Sequence, residues 1–305
     1  MLSKRDIFKE LGKNICIYPL HIKNIKENSI NLTIGQNAWI DKNCKVKKIY
    51  QLPNDTFSLK KEQNSKELSI IGGNPAIIPS MDSKKKFLIL LPHTTTSVET
   101  SEVIAVSQNI GGTFHSKVGI AAKGVGHIGT MLGPCYCGHL LISLHNITDN
   151  IITLEVGETF VSLIFYLLET PIQENVNSNY NGHVDKFSEL KFNVSQKTRE
   201  YLTEDWKSSF TGIRNKMLTS DAYIQFKKTK SRENIEYLKR YLNIRNIIII
   251  LLIISVFILS WFGVHWYDNK NGTTVWSERY WEIVITAVIV PILLNLYKLF
   301  KRSNE

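Results

Sequence analysis

Cys135, Cys137 and His139 form a C-x-C-x-H triple, and these are the residue types that hold zinc through thiolate and imidazole. A structural zinc site needs four ligands, and no second pair stands at a matching spacing. Alternate residues of a strand also share one face, so the triple serves packing equally well. No metal is therefore expected. His127 and His145 read as satisfied core or interface histidines. Glu155 and Glu158 bracket a turn between strands and read as solvated carboxylates. Four cysteines (Cys16, Cys44, Cys135, Cys137) in 305 residues are too few for a disulfide scaffold, and reduced thiols in the cytosol are expected.

The elements that would position these groups are short. Between Ile15 and Thr170 apolar and polar residues alternate in runs broken by Gly, Pro, Asn and Asp. Examples are SINLTIG (Ser29–Gly35), KFLILLP (Lys86–Pro92), EVIAVSQ (Glu102–Gln108), HLLISLHNIT (His139–Thr148) and ETFVSLIFYLL (Glu158–Leu168). Strands at this spacing predict an all-β sandwich or barrel. Before them, Ser3 followed by Asp6 marks the capped start of a short amphipathic helix, and no apolar h-region of a secretory signal is present. Pro171 to Asp185 is polar and Asn-rich and reads as loose. From Val194 to Asn243 the apolar residues fall at helical spacing, as in TREYLTEDW and ENIEYLKRYL.

Ile247 to Val264 is an uncharged run, IIIILLIISVFILSWFGV, about the length a helix needs to cross hydrocarbon. Trp261, Trp266 and Tyr267 fit an interfacial aromatic belt, and Asn271-Gly272 marks a turn. A second span is expected from about Trp281 to Phe300, kinked at Pro291, with Asn295 either bonding between helices or reaching the cytoplasmic interface beside Lys298. Lys and Arg flank the outer sides of the hairpin, which places both chain ends in the cytoplasm, anchored in the cell membrane by two passes. The formal net charge of +10 gathers partly in this flank, in Lys227, Lys228, Lys230, Arg232, Lys239, Arg240, Lys298, Lys301 and Arg302. That placement suits a lipid bilayer rather than a nucleic acid, and no nucleic-acid partner is expected.

The order of the strands resembles the dCTP deaminase/dUTPase superfamily over residues 1–180. LSKRDI (Leu2–Ile7) is similar to the opening helix of the deaminase branch, and SINLTIG to the conserved first strand S-[IV]-D-L-R-L-G. LPHTTTSVETSEVIAV (Leu91–Val106) resembles the strand pair around L-A-x-T-x-E. HSKVGIAAKGVG (His115–Gly126) stands where the family has its phosphate-contacting R-S-S. GPCYCGHLLISLHN (Gly133–Asn146) is similar to D-P-G-[WY]-x-G…E, and VGETFVSLIFYLL (Val156–Leu168) to the closing strand. The resemblance implies a distorted all-β barrel, assembled as a trimer with nucleotide sites between subunits. The expected organisation is thus the barrel at 1–180, a linker and helical connector at 181–245, and a two-helix transmembrane hairpin with a cytoplasmic tail at 246–305.

Deamination at C4 of cytosine needs a carboxylate that shuttles protons. The resemblance puts Ser143 at that glutamate, and Gly133 at the aspartate with which the dUTPase branch orients water three residues before Tyr136. The first-strand aspartate is Asn31 and the glutamine-type position of the last strand is Ser162. Neither Ser143 nor Gly133 can act as a base, so no catalytic residue is assigned. The anion-handling part remains: His115, Ser116 and Lys117 stand where the family contacts phosphate. Gly111, Gly112, Gly119, Gly124 and Gly126 either let backbone N–H groups approach an anion or satisfy turns. No resident cofactor is expected; a nucleoside triphosphate would bring Mg²⁺ with it. The expectation is a membrane-anchored nucleotide receptor, catalytically degenerate, whose hairpin is the output, resembling bacterial antiphage effectors. The alternative is a membrane-tethered active dCTP deaminase or dUTPase, and a structural trimer without a ligand is the third reading.

Overall fold

The computed structural model describes residues 1–45, 47–81, 83–127, 129–172, 184–241 and 244–272, with Thr274, Arg279, Tyr280 and Glu282 beyond them. Their contacts divide the chain into two units, Met1–Lys228 and Thr229–Glu305. In chain order the first unit holds α1 (Lys4–Glu10), β1 (Ile15–Tyr18), β2 (Ile30–Ile40), β3 (Lys47–Gln51), β4 (Phe57–Ser58), β5 (Lys66–Ile70), β6 (Ile77–Pro79), β7 (Lys86–Leu90), β8 (Thr94–Val106) and β9 (Ile110–Ser116). It continues with α2 (Val118–Ala121), β10 (Val125–His127), β11 (Met131–Leu132), β12 (Cys137–Asn146), β13 (Ile152–Glu155) and β14 (Thr159–Leu167). The helices α3 (Val184–Glu189), α4 (Gln196–Leu202), α5 (Phe210–Leu218), α6 (Asp221–Tyr241) and α7 (Ile244–Asn271) follow, with a 3-10 turn at Asp205–Lys207.

The main sheet is antiparallel and curled into a half-barrel. Its hydrogen-bonded path runs β10-β12-β8-β2-β14-β9-β11, with β1 also on β8. This all-β domain matches the strand reading, although the path stays open, with β10 and β11 at its ends. Two three-stranded sheets, β13-β7-β6 and β4-β3-β5, complete the domain. Alternation sets which side faces inward in β14: Val161, Leu163 and Phe165 are buried in one core with Leu32 and Ile34 of β2 and Ile7 of α1. Each such side chain contributes about 1.5–3 kcal/mol of burial. Ser3 and Asp6 close the capping box expected for α1, and Leu2 N–H donates to Phe165 O at 2.8 Å, so the first helix is tied to the last strand.

β8 departs from simple alternation, because it is covered on both faces. Its inner face meets the core, and the chain after the barrel returns over its outer face. There Trp39 of β2 packs against Phe187 (centroids 4.7 Å apart) and Phe192 (5.7 Å), with Leu202 of α4. Ile213 and Met217 of α5 are fully buried against the main core, and Met217 Sδ accepts from Ile17 N–H of β1. The helical texture read from 194 onward is present as α4, α5 and α6, while most of the stretch read as loose lies outside the described residues.

In the second unit, the first expected span, Ile247–Val264, lies on α7. The second, with Pro291 and Asn295, lies outside the described residues apart from Glu282. Among the described residues no helix is long and apolar enough to cross a membrane. The described helices therefore do not carry the two-span expectation, which rests on the sequence. Within this unit Tyr280 returns to α7, its hydroxyl donating to Phe257 O at 3.0 Å.

Candidate functional site

Three family-aligned positions fall on one line across the sheet. Ser162 of β14 is in register with Asn31 of β2 on one side and with His115 of β9 on the other. The line crosses the face turned away from the core, where exposure grows outward: Asn31 is buried, Ser162 half-buried and His115 exposed. Ser162 Oγ donates to Asn31 Oδ1 at 2.8 Å. One ladder step along, His115 Nε2 lies 3.0 Å from Thr113 Oγ1, which in turn lies 3.3 Å from the Tyr166 hydroxyl. The result is a strip of neutral donors and acceptors ending in one imidazole. Such a strip can meet a base edge, a sugar hydroxyl or a phosphate oxygen.

The other two expected anion ligands are placed differently. Ser116 ends β9, half-buried and in register with Val161. Lys117 Nζ is drawn onto Thr159 at the start of β14, donating to its hydroxyl and, at 3.3 Å, to its carbonyl oxygen. Two of its three protons are thus committed. The glycines behave as turn and packing residues. A Cβ on Gly112 would stand 2.7 Å from Ile164 O, and Gly124 has φ +84° in the turn after α2.

Ser143 is elsewhere on the sheet. It belongs to a second line, Trp39 (β2), Ser97 (β8) and Ser143 (β12), and its hydroxyl lies 3.2 Å from that of Ser97. Neither a hydrogen bond nor a ladder register joins it to His115, Ser116 or Lys117. Gly133 is exposed, and a Cβ added there would meet nothing within 4 Å, so no crowding explains the missing aspartate. The Tyr136 hydroxyl, buried, donates to His139 O and fixes the entry to β12.

Beside the second line is an ionic cluster. Glu99 of β8, opposite Leu141, holds Asn37 Nδ2 at 2.5 Å and approaches His139 Nδ1 to 2.8 Å. Both side chains of that ion pair are almost fully buried, the contact is out of line for a good hydrogen bond, and His139 Nε2 has no partner among the described residues. Tyr201 of α4 covers the imidazole at 5.5 Å. Lys207, also buried, sits 3.3 Å from the centre of the Tyr201 ring, donates to Tyr201 O and lies 3.5 Å from Glu204. Burial, with Glu99 and Glu204 nearby, pushes the Tyr201 hydroxyl up to about 12, and burial holds the Lys207 ammonium below its ordinary value. Two carboxylates, Glu99 and Glu102, in an otherwise apolar and hydroxylated strand are the sequence signal that buried charge needs partners here. The partner His139 stands forty positions away, so only the register reveals it.

His139 is therefore occupied by Glu99, while Cys135 sits in the preceding turn at φ +60° and Cys137 is buried. Burial pushes the thiols of Cys16 and Cys137 up to about 12 and about 11, which keeps them as unreactive thiols. Among the described residues no three His, Cys, Asp or Glu side chains are grouped to hold a metal ion. A second buried carboxylate, Glu102, accepts from the Thr33 N–H and hydroxyl, both at 2.9 Å, and burial raises its pKa despite those bonds.

Residues 1–168 match the dCTP deaminase-like family. The dCTP deaminase of Thermococcus gammatolerans is 22% identical over 173 residues, which cover 57% of this chain and 88% of that protein. That of Pyrococcus horikoshii is 24% identical over 99 residues, 32% of this chain and 64% of its own length. Among solved structures, the 2'-deoxycytidine 5'-triphosphate deaminase from Agrobacterium tumefaciens aligns over 54% of this chain and 48% of that chain, at 13% identity and a TM-score of 0.37. The native EIAV dUTPase aligns over 33% and 92%, at 22% identity and a TM-score of 0.26. The chain thus spans less than two thirds of the Pyrococcus protein and of the Agrobacterium chain. The family match covers more than half of the 305 residues, and the chain belongs to the dCTP deaminase-like family.

Proposed function

We propose that the chain is a nucleotide receptor that binds its ligand along the Asn31–Ser162–His115 line and does not deaminate it. One observation carries this reading. Where the resemblance puts the proton-shuttling carboxylate, Ser143 offers a hydroxyl paired with the hydroxyl of Ser97 at 3.2 Å. Neither hydroxyl titrates near neutral pH, so neither can take a proton from water and return it to a leaving ammonia. Ser116 and Gly133 supply no substitute. The ligand site lies in a trimer between subunits, in line with the family resemblance.

The receptor is anchored by the C-terminal hairpin, and ligand binding alters how the hairpins of an assembly pack, an output suited to antiphage defence. What supports the anchor is the uncharged run 247–264 and the exposure on α7 of Leu251, Val256, Leu259, Phe262 and Trp266, more apolar surface than a helix in water retains.

The test uses the full chain in detergent. Ammonia release from dCTP and pyrophosphate release from dUTP are measured beside thermal shifts with the same nucleotides. Stabilisation without turnover is the expected result, and steady turnover of either substrate sinks the receptor reading. For the anchor, alkaline carbonate extraction of expressing cells should leave the chain in the membrane pellet; release into the supernatant defeats it.

A further inference from the structure

The charge available to the site limits what the site can hold. Residues 1–180 contain one arginine, Arg5, exposed on α1. Any symmetric assembly of this chain draws on the same residues, so no neighbouring barrel can bring a further arginine to the ligand. Within the barrel, bidentate guanidinium contacts, the strongest protein grip on a polyphosphate, are therefore confined to Arg5; Arg199 and Arg214 belong to α4 and α5 beyond it. Lys117 would be the next cation, yet two of its protons are spent on Thr159. The helix after it, α2, has four residues, too short to concentrate positive potential at its start, and Lys117 as N-cap makes no side-chain cap bond. The backbone of β9 is also engaged, with Gly112 in the ladder to Phe165. In the β9–β10 connection that leaves Lys123, exposed in the turn after α2, as a single point charge.

The line itself is neutral apart from His115. Asn31, Ser162, Thr113 and Tyr166 offer hydroxyl and amide groups, which match the edges of a base and the hydroxyls of a sugar. A phosphate monoester brings about −1.5 to −2 charges at neutral pH, and every further phosphate adds to that with nothing in the strip to balance it.

We propose that the site takes a nucleoside, or a nucleotide carrying a single phosphate, including a cyclic monophosphate, and selects against triphosphates. This inference rests on the nucleotide-receptor reading and sharpens it. It makes Mg²⁺ unnecessary for binding, since the metal accompanies the polyphosphate.

The experiment is calorimetric titration of the detergent-solubilised full chain with deoxycytidine, dCMP and dCTP and with their uracil counterparts, with and without Mg²⁺, at low and high salt. The Ser162→Ala chain is the control for binding at the line. The expected result is that the nucleoside or monophosphate binds, that the triphosphate binds equally or more weakly, and that affinity changes little with salt. Tighter binding of a triphosphate than of its monophosphate, lost in Ser162→Ala, overturns this inference and leaves the receptor reading standing. Absence of binding by every compound overturns the receptor reading and this inference with it.

Discussion

Two lines cross the same curled sheet, and they have opposite chemistry. The Asn31–Ser162–His115 line is open and nearly neutral. The Trp39–Ser97–Ser143 line is flanked by Glu99, His139 and Lys207 and covered by Phe187, Phe192 and Tyr201. Of the two lines, the covered one is thus flanked by the charged groups, while the open one holds hydroxyls, an amide and the His115 imidazole. Buried ions are commonly more important for holding a particular arrangement than for net stability. Here they join the barrel to the chain segment that follows it. Glu99, His139 and Lys207 are therefore engaged in docking α4 and the 3-10 turn, and the open line is left with groups that recognise.

Removing one member of the buried cluster should have the largest effect. Glu99→Ala leaves His139 and Asn37 without their carboxylate, while Lys207 keeps Glu204, and breaking a buried pair in this way costs about 3–5 kcal/mol. Denaturant unfolding of the full chain in detergent measures it. The paired replacement Glu99→Leu with His139→Phe should recover most of the loss, because no orphaned charge remains. A Glu99→Ala change below about 1 kcal/mol would mean that the cluster is wet and open, erasing the contrast between the lines. Trp39→Ala should cost a comparable amount, about 3–5 kcal/mol, by emptying the pocket under Phe187 and Phe192. It should also raise amide exchange in residues 187–207 before exchange in β9 and β14 changes.

The pH dependence sharpens the same contrast with a smaller effect. Glu102 is buried, and its folded-state pKa is raised above the ordinary 4.5. Between 4.5 and that raised value the folded chain holds a proton that the unfolded chain has released. The stability contribution of this group is therefore complete below 4.5 and declines as pH rises through the raised value. Unfolding curves collected from pH 4 to 8 should show the decline in the native chain and a flatter profile in Glu102→Gln. Identical profiles would show that Glu102 titrates as it does in the unfolded chain.

What the sequence discloses and what it hides follows the same division. The capping box of α1 is legible because Ser3 and Asp6 lie three residues apart and act locally. β12 and β14 are legible because one buried face imposes period-two alternation over part of their length, and β2 and β7, buried over most of theirs, are legible as short runs bounded by turn residues. The open line is partly legible: Asn31, His115 and Ser162 are each found by resemblance, but their alignment into one row depends on two registers that no local pattern contains. The commitment of Lys117 to Thr159 is likewise non-local. The second line is hardest to read. Glu99 and His139 are paired by strand register, and Phe187 and Phe192 reach Trp39 from about 150 residues away. A helical pattern foretells α4 and α5, but not the surface that receives them.

The smallest expected change in stability is at the open line, and it is the most discriminating. Ser162→Ala removes one hydroxyl from a half-buried, outward-facing position and frees Asn31 Oδ1 from a single bond. The cost should be about 1 kcal/mol, because Asn31 is buried and loses one hydrogen bond while the Ser162 side is partly open to water. Ligand recognition should respond far more, since a bound base or sugar shields the line and leaves Asn31 unpaired in a drier setting. The expected pattern is a midpoint lowered only slightly without nucleotide and a lost thermal shift with it. A large loss of stability in the free chain, with the thermal shift retained, would reassign Ser162 to packing and move the ligand site off this line.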